Sequence, residues 1–301
     1  MKPTATVHHP AQRWAPYLFL APYLILAAVF FVYPLIDATR LAFYQTHGAV
    51  AREWVGLGNF TFLLKDRNFH EAVSHTVIFA FANTVLMLPM SLGLALLLNT
   101  RHGRFKAFFR VLFFSPNFVG QIFVGIIFFV LFVPRYGLVN RFLQTLLGWG
   151  LEMEWLTDPA MVMPALVLAN LWMYVGFNMV YFLAALQNVD ESLVEAARID
   201  GAGPWGVFWN VTLPSIKPVA VFVLVVCMIN SFQMFELSWT MFRQTFGPAN
   251  SGSTMVGYLY DAAFNSGDLG LASAVGWVLG IIIMIVSLVQ IKVLGTGKEE
   301  S

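Results

Sequence analysis

Six stretches of about twenty mostly apolar residues run through this chain, each long enough to cross the ~30 Å hydrocarbon core of a bilayer as a helix. A helix is the form such stretches must take, because lipid offers no partner to a backbone N–H or C=O and every such group has to be satisfied within the segment. They run approximately from Tyr17 to Ala38, Thr76 to Leu98, Phe108 to Val133, Met161 to Leu186, Val219 to Thr240 and Leu271 to Leu294. The first, YLFLAPYLILAAVFFVYPLI, is longer than the apolar core of a secretory signal and no small-x-small cleavage pattern follows it, so it reads as a retained span. The expected fold class is all-α: a polytopic membrane protein of six transmembrane helices, with a tail at 1–16, a membrane domain at 17–294 and a second tail at 295–301.

Other classes recede on charge and chemistry. Only 11% of residues are charged, against roughly a quarter in a soluble domain, and the net charge is +1 with no basic stripe for a phosphate backbone to follow, which argues against nucleic-acid binding. Cys227 is the single cysteine, so no disulfide or Cys-ligated metal site is available, and it reads as a small core residue. The six histidines are scattered over tail, loops and span ends without an H-E-x-x-H arrangement, and no metal is expected.

Orientation follows from lysine and arginine, which resist translocation. Six spans put both termini on one side. The dense RHGRFKAFFR after the second span marks its side as cytoplasmic, and so both termini, with the chain in the cell (inner or plasma) membrane.

The cytoplasmic connection between the fourth and fifth spans, 188–217, holds a patterned interruption, EAARIDGAGPWGVFWNVTLPSIKP. Asp190 can cap a short helix with Glu191 in its favourable first turn, and Gly201 suits its stop, since glycine takes positive φ without steric cost. A second short helix can start at Pro204 and run to a break at Leu213-Pro214. Ala196 and Ala197 keep the first helix thin enough for a close neighbour. By periodicity alone this is either an interfacial hairpin or a knob that a soluble partner grips.

The spacing E-A-A, three residues, G, nine residues, then L-P is met by Glu195, Ala196, Ala197, Gly201, Leu213 and Pro214, with Val211 at a position usually Ile. It resembles the EAA loop of the membrane-spanning permease subunits of type I ABC importers. The Asp200-Gly201-Ala202 variant resembles their carbohydrate-uptake branch, maltose, glycerol-3-phosphate and lactose types included, and within it the first of the two permeases. PYLILAAVFFVYPLI, WVGLGNFTFLL, FFRVLFFSPNFVGQIF, GFNMVYFLAALQNV and FGPANSGSTMVGYLYDAAFNSGDLGLASA extend the likeness over most of the chain. The resemblance implies a coupling helix seated in a groove of a cytoplasmic ATPase, with Glu195 offering a carboxylate, Ala197 allowing close approach and Gly201 setting the bend. It also implies a second permease in a heterodimer, two ATPase subunits carrying ATP and Mg, and an extracytoplasmic solute-binding protein that delivers a sugar. No G-x-x-x-x-G-K-[ST] phosphate loop occurs, and GTGKE at 295–299 lacks its spacing, so this chain is expected to bind no cofactor and not to be an enzyme itself.

Polar groups inside spans should face a helix or a watery cavity. Asn170, Tyr174, Phe177, Asn178 and Tyr181 share about a third of the circumference of the fourth span. Asn230, Gln233, Glu236 and Thr240 make a similar arc in the fifth. Amides, a carboxylate and flat rings suit a sugar, which offers hydroxyls in several directions and an apolar C–H face. Tyr174, Asn178, Tyr181, Asn230, Gln233 and Glu236 are therefore the candidate solute pathway. For Glu236, whose burial would cost ~2.5 to 3.5 kcal/mol even on a lenient scale, a wet and paired position near the outer end of the span is the competing reading. Asn170 and Asn230 can also be polar contacts between helices. YGLVNRFLQTLLGW after the third span has the spacing of a helix lying on the outer surface. An importer of amino acids, peptides or phosphate differs only in cargo, whereas an autonomous secondary transporter would want buried charged pairs and an internal repeat, neither of which is evident.

Overall fold

A computed structural model describes residues 10–48, 51–99, 105–148 and 153–294. Residues 1–9, the 101–104 part of the basic cluster and the tail at 295–301 lie outside the described residues.

Helices α1 (Pro10–Ala27) and α2 (Tyr33–Leu41) join through a π-turn at Ala28–Val32 into the first span. From Tyr17 to Ile36 its large apolar side chains are exposed, the pattern of a helix facing lipid or another chain. A hairpin follows, β1 (Tyr44–His47) antiparallel to β2 (Ala51–Trp54) with Tyr44 opposite Trp54. This hairpin is the only sheet among the described residues of an otherwise helical fold. Its YQTH strand is short and polar on one face, and it is anchored by Asn59 of α3 (Gly58–Leu63), whose amide donates to the Ala42 and Tyr44 carbonyls at 3.0 and 2.9 Å.

The body is built on α4 (Arg67–Leu98) packed along α8 (Pro159–Gln187), with α11 (Leu213–Phe232) and α14 (Leu269–Leu294) completing the bundle. Asp66 caps α4 by accepting from the Phe69 N–H at 3.0 Å, and Asp158 caps α8 by accepting from the Ala160 N–H at 2.9 Å. Phe79, Val124, Leu166 and Met241 centre one core; Ala95, Met179, Phe182 and Ile216 centre another, toward the 188–217 connection.

Two expected spans are corrected. The third is not one rod from Phe108 to Val133: α5 (Lys106–Phe114), extended by a 3-10 turn at Ser115–Phe118, meets α6 (Gln121–Phe132) at 100°. Pro116 tightens the turn and Val119 and Gly120 are extended, so the helical ladder stops. Among the described residues five helices are long and apolar enough to cross a membrane, and six spans result if this bent pair counts as one. The fifth span is displaced as well. It runs unbroken from α10 (Pro204–Val207) through a π-turn at Phe208–Thr212 into α11, stops at Phe232, and resumes as α12 (Glu236–Met241). The expected break at Leu213-Pro214 is absent because the wide π-turn, where the Leu213 N–H reaches back to the Phe208 carbonyl, carries the helix past the proline.

Helix α7 (Leu138–Leu147) leaves Leu138, Phe142 and Leu146 exposed, as a helix lying on a bilayer surface does. Between α12 and the last span lies α13 (Met255–Tyr260), continued by a π-turn at Asp261–Asn265.

Candidate functional site

Two features stand out: a polar cavity between the helices, and the loop at 188–217.

The cavity holds about 350 Å³ and lies where α11 breaks. The break frees backbone groups that are taken up locally: the Gln233 N–H donates to the Asn230 carbonyl at 3.2 Å, and the Thr254 hydroxyl donates to the Met234 carbonyl at 2.7 Å. Non-helical backbone at such a depth is tolerated where it lines a cavity, and here it turns Gln233, Phe235 and Glu236 toward one. The floor is a relay of amides. Asn170 donates to the Asn83 carbonyl oxygen at 2.9 Å, and the Asn83 amide donates to the Ser231 hydroxyl at 2.9 Å, so α8, α4 and α11 are tied by two bonds. Asn83 is 1% exposed, and leaving such a group unpaired costs about 1–3 kcal/mol. Further along α8, Gln121 of α6 donates to the Tyr174 hydroxyl at 2.7 Å, and the Asn178 amide donates back to the Tyr174 carbonyl at 3.1 Å.

Of the six solute-pathway residues, Tyr174, Asn178, Asn230, Gln233 and Glu236 line this cavity. Tyr181 does not; its ring sits edge-on to Phe177 and Phe222. Thr240 is also directed elsewhere: with the helix interrupted at 233–235 the expected arc is not a single arc, and Thr240 packs on Gly125 of α6. Glu236 is exposed in the first turn of α12, with no ion pair among the described residues. Cys227 is buried, as expected, and its thiol borders both the cavity and the Asn83 amide at 3.8 Å. Asn83, Gln121 and Phe235 went unread in the sequence, although an asparagine in mid-span is the signal that pointed to Asn170.

Gly176 lies between the lining residues Tyr174 and Phe177 on α8. A Cβ there would collide with the Phe113 carbonyl, so glycine is what lets α5 cross α8 in backbone contact.

In the loop, α9 (Glu191–Ile199) starts at Asp190, whose carboxylate accepts from the Ser192 N–H at 2.8 Å. That backbone bond holds the Asp190 carboxyl below its ordinary value. The helix ends in a Schellman turn: the Gly201 N–H donates to the Arg198 carbonyl at 3.1 Å and the Ala202 N–H to the Ala197 carbonyl at 2.9 Å, with Gly201 at φ +85°. None of its nine residues is buried. Glu195, Ala196 and Asp200 are exposed, Ala197 is half-buried, and Leu193 and Ile199 present bare apolar surface, Ile199 at 86% exposure. Glu195 also borders a cleft with Asn99, Arg198 and Thr212. Leu213 and Pro214 stand apart from α9, at the foot of α11.

The sequence profile of a family described as "Binding-protein-dependent transport system inner membrane component" matches residues 76–292. The arabinooligosaccharides transport system permease protein AraP of Bacillus subtilis is 37% identical over 96% of this chain and 91% of its own. The lactose transport system permease protein LacF of Rhizobium radiobacter is 34% identical over 91% of this chain and 92% of its own. A solved bacterial alginate ABC transporter, in complex with an alginate pentasaccharide-bound periplasmic protein, contains a chain that superposes with a TM-score of 0.81 at 22% identity, covering 93% of each.

Proposed function

This chain belongs to the family of binding-protein-dependent transport system inner membrane components, and we infer from this that it is one of two permeases of an ABC importer for a sugar or sugar derivative. Its cargo class rests on relatives that carry arabinooligosaccharides and lactose, together with a cavity that combines amides, a carboxylate and aromatic faces. Its companions are a second, similar permease, two ATPase chains that hold ATP and Mg, and an extracytoplasmic binding protein. Both termini lie in the cytoplasm, as the basic residues around the second span favour. This chain contributes transport and holds no nucleotide itself.

One observation carries the mechanism. The helix that leaves the loop at Pro204 continues without interruption to Phe232, and its far end is the break that opens the cavity. Its 29 residues, at about 1.5 Å each, make a rod of about 44 Å. An exposed knob at one end and a cavity hinge at the other form a lever. ATP binding draws the ATPases together and with them the 188–217 element, and the rod transmits that motion so that the cavity turns outward; hydrolysis reverses it. Such coupling requires ATP and solute each to bind the two conformations unequally. Glu195, Ala196, Ala197, Asp200 and Gly201 form the face that meets the ATPase, with Leu213 and Pro214 fixing the rod beneath them.

Reconstitution in liposomes tests the reading. The chain with its partner permease should move no labelled sugar until the ATPases, ATP and a sugar-loaded binding protein are all supplied. Uptake by the permeases alone, driven by an ion gradient, contradicts it.

A further inference from the structure

A run of aromatic rings leads from the cavity to the outer surface. Phe235, on the cavity wall, stacks on Trp239 with ring centroids 5.8 Å apart and planes at 22°. Trp239 meets Tyr260 of α13 at 4.7 Å, and Tyr260 meets Phe264 at 4.9 Å. Phe235 caps the start of α12, one turn before Trp239, and Phe264 lies in the π-turn that continues α13 beyond Tyr260. Phe246, buried, backs Phe235 and Trp239 at 6.1 and 5.0 Å. Trp239 and Tyr260 are half-buried, and Phe264 is 72% exposed.

A continuous row of rings that the rest of the chain leaves partly uncovered calls for an occupant. Continuity with the cavity identifies it. At the inner end the run adjoins the Gln233 and Glu236 polar groups, and at the outer end Asn265, next to Phe264 in sequence, donates to the Asp261 carboxylate at 2.7 Å. Flat rings flanked by amides and carboxylates are what a saccharide needs along its length, one face stacking and its hydroxyls trading hydrogen bonds. A cavity of about 350 Å³ is at the small end for ligand sites, so the rings of a longer saccharide must lie outside it. Resting on the sugar reading above, we propose that Trp239, Tyr260 and Phe264 form a stacking path that holds the trailing rings of an oligosaccharide while its leading ring occupies the cavity, and that these three residues set the length of saccharide carried.

The test uses the complete importer in proteoliposomes and two labelled series, arabino- and galacto-oligosaccharides, each from monosaccharide to pentasaccharide. Trp239→Ala, Tyr260→Ala and Phe264→Ala should each slow uptake of trisaccharides and longer by about threefold to tenfold, with monosaccharide uptake within about twofold of wild type. Tyr260→Phe should restore the long-chain rate. An equal loss at every length, or no loss, overturns the path. Phe264→Ala disturbs no buried packing and keeps the test alive should Trp239→Ala fail to assemble; loss of the second permease from the purified Phe264→Ala complex would make this row a contact between permeases and overturn the proposal. A wild-type importer that carries neither series refutes the sugar reading, and the path with it, whereas length-blind variants of an active importer refute the path alone.

Discussion

Replacing Gly201 should disconnect the transporter while leaving its membrane body whole. At φ +85° an alanine pays about 1–2 kcal/mol for the left-handed region, which corresponds to roughly a 5- to 30-fold loss in the population of the native turn. Proline is worse: its φ is locked near about −65°, a rotation of about 150° from the observed value, and it deletes the N–H that bonds to the Arg198 carbonyl. Clashes with other parts of the chain do not enter, since beyond its sequence neighbours nothing lies within 4 Å of a Cβ at this position. Nor does the core, because α9 buries no residue. The perturbation is therefore confined to the orientation of α9 relative to the rod. Titration of the solubilised permeases with purified ATPase chains is the assay, with a thermal melt of the permeases as control. Gly201→Ala should weaken association by up to about 30-fold, Gly201→Asn by less because asparagine tolerates this region, and Gly201→Pro should abolish it and uptake together. The melt should not move for any of them. Undiminished ATPase affinity in Gly201→Pro would rule out the turn as the docking determinant, as would a destabilised membrane body that explains the loss without it.

Three further outcomes follow from the same structure. Asn83→Leu removes the centre of the amide relay and strands Asn170, so the permease should lose about 1–3 kcal/mol of stability, read as a lower melting temperature, whereas Ser231→Ala removes only an end of the relay and should cost less. Gly176→Leu drives a side chain into the Phe113 carbonyl, and the chain should fail to accumulate in the membrane; normal yield would mean that the α5–α8 crossing is not the constraint described. Phe222→Pro kinks the rod midway at a cost of about 3 kcal/mol in helix ladder, and it should keep ATPase association and ATP turnover while uncoupling both from uptake.

The long apolar runs made the membrane architecture legible, since length and hydropathy alone dictate a spanning helix. Asp190, Glu191 and Gly201 were legible because caps and turns are local chemistry, and all three occupy the cap, first turn and Schellman positions expected of them. The breaks were harder. Composition cannot tell an apolar run that bends at Pro116 from one that continues, and at Leu213-Pro214 the reverse error arose because a π-turn absorbs the proline's missing donor. The cavity was legible to the extent that its residues share one helical face. Tyr174 and Asn178 do share one, but a single-helix arc extended past the Phe232 break predicted Thr240 in the wrong environment. Asn83, Gln121 and Phe235 come from three other segments, and only the packing of those segments brings them to the fourth span.

If α9 is the grip by which an ATPase moves the rod, a photo-crosslinking residue at position 199, where Ile199 is 86% exposed, should report the contact in membranes containing the whole transporter. The expected adducts join this chain to the ATPase, and their yield changes when ATP is trapped by a non-hydrolysable analogue. Adducts confined to lipid or to this chain's own helices, in both nucleotide states, would contradict the grip.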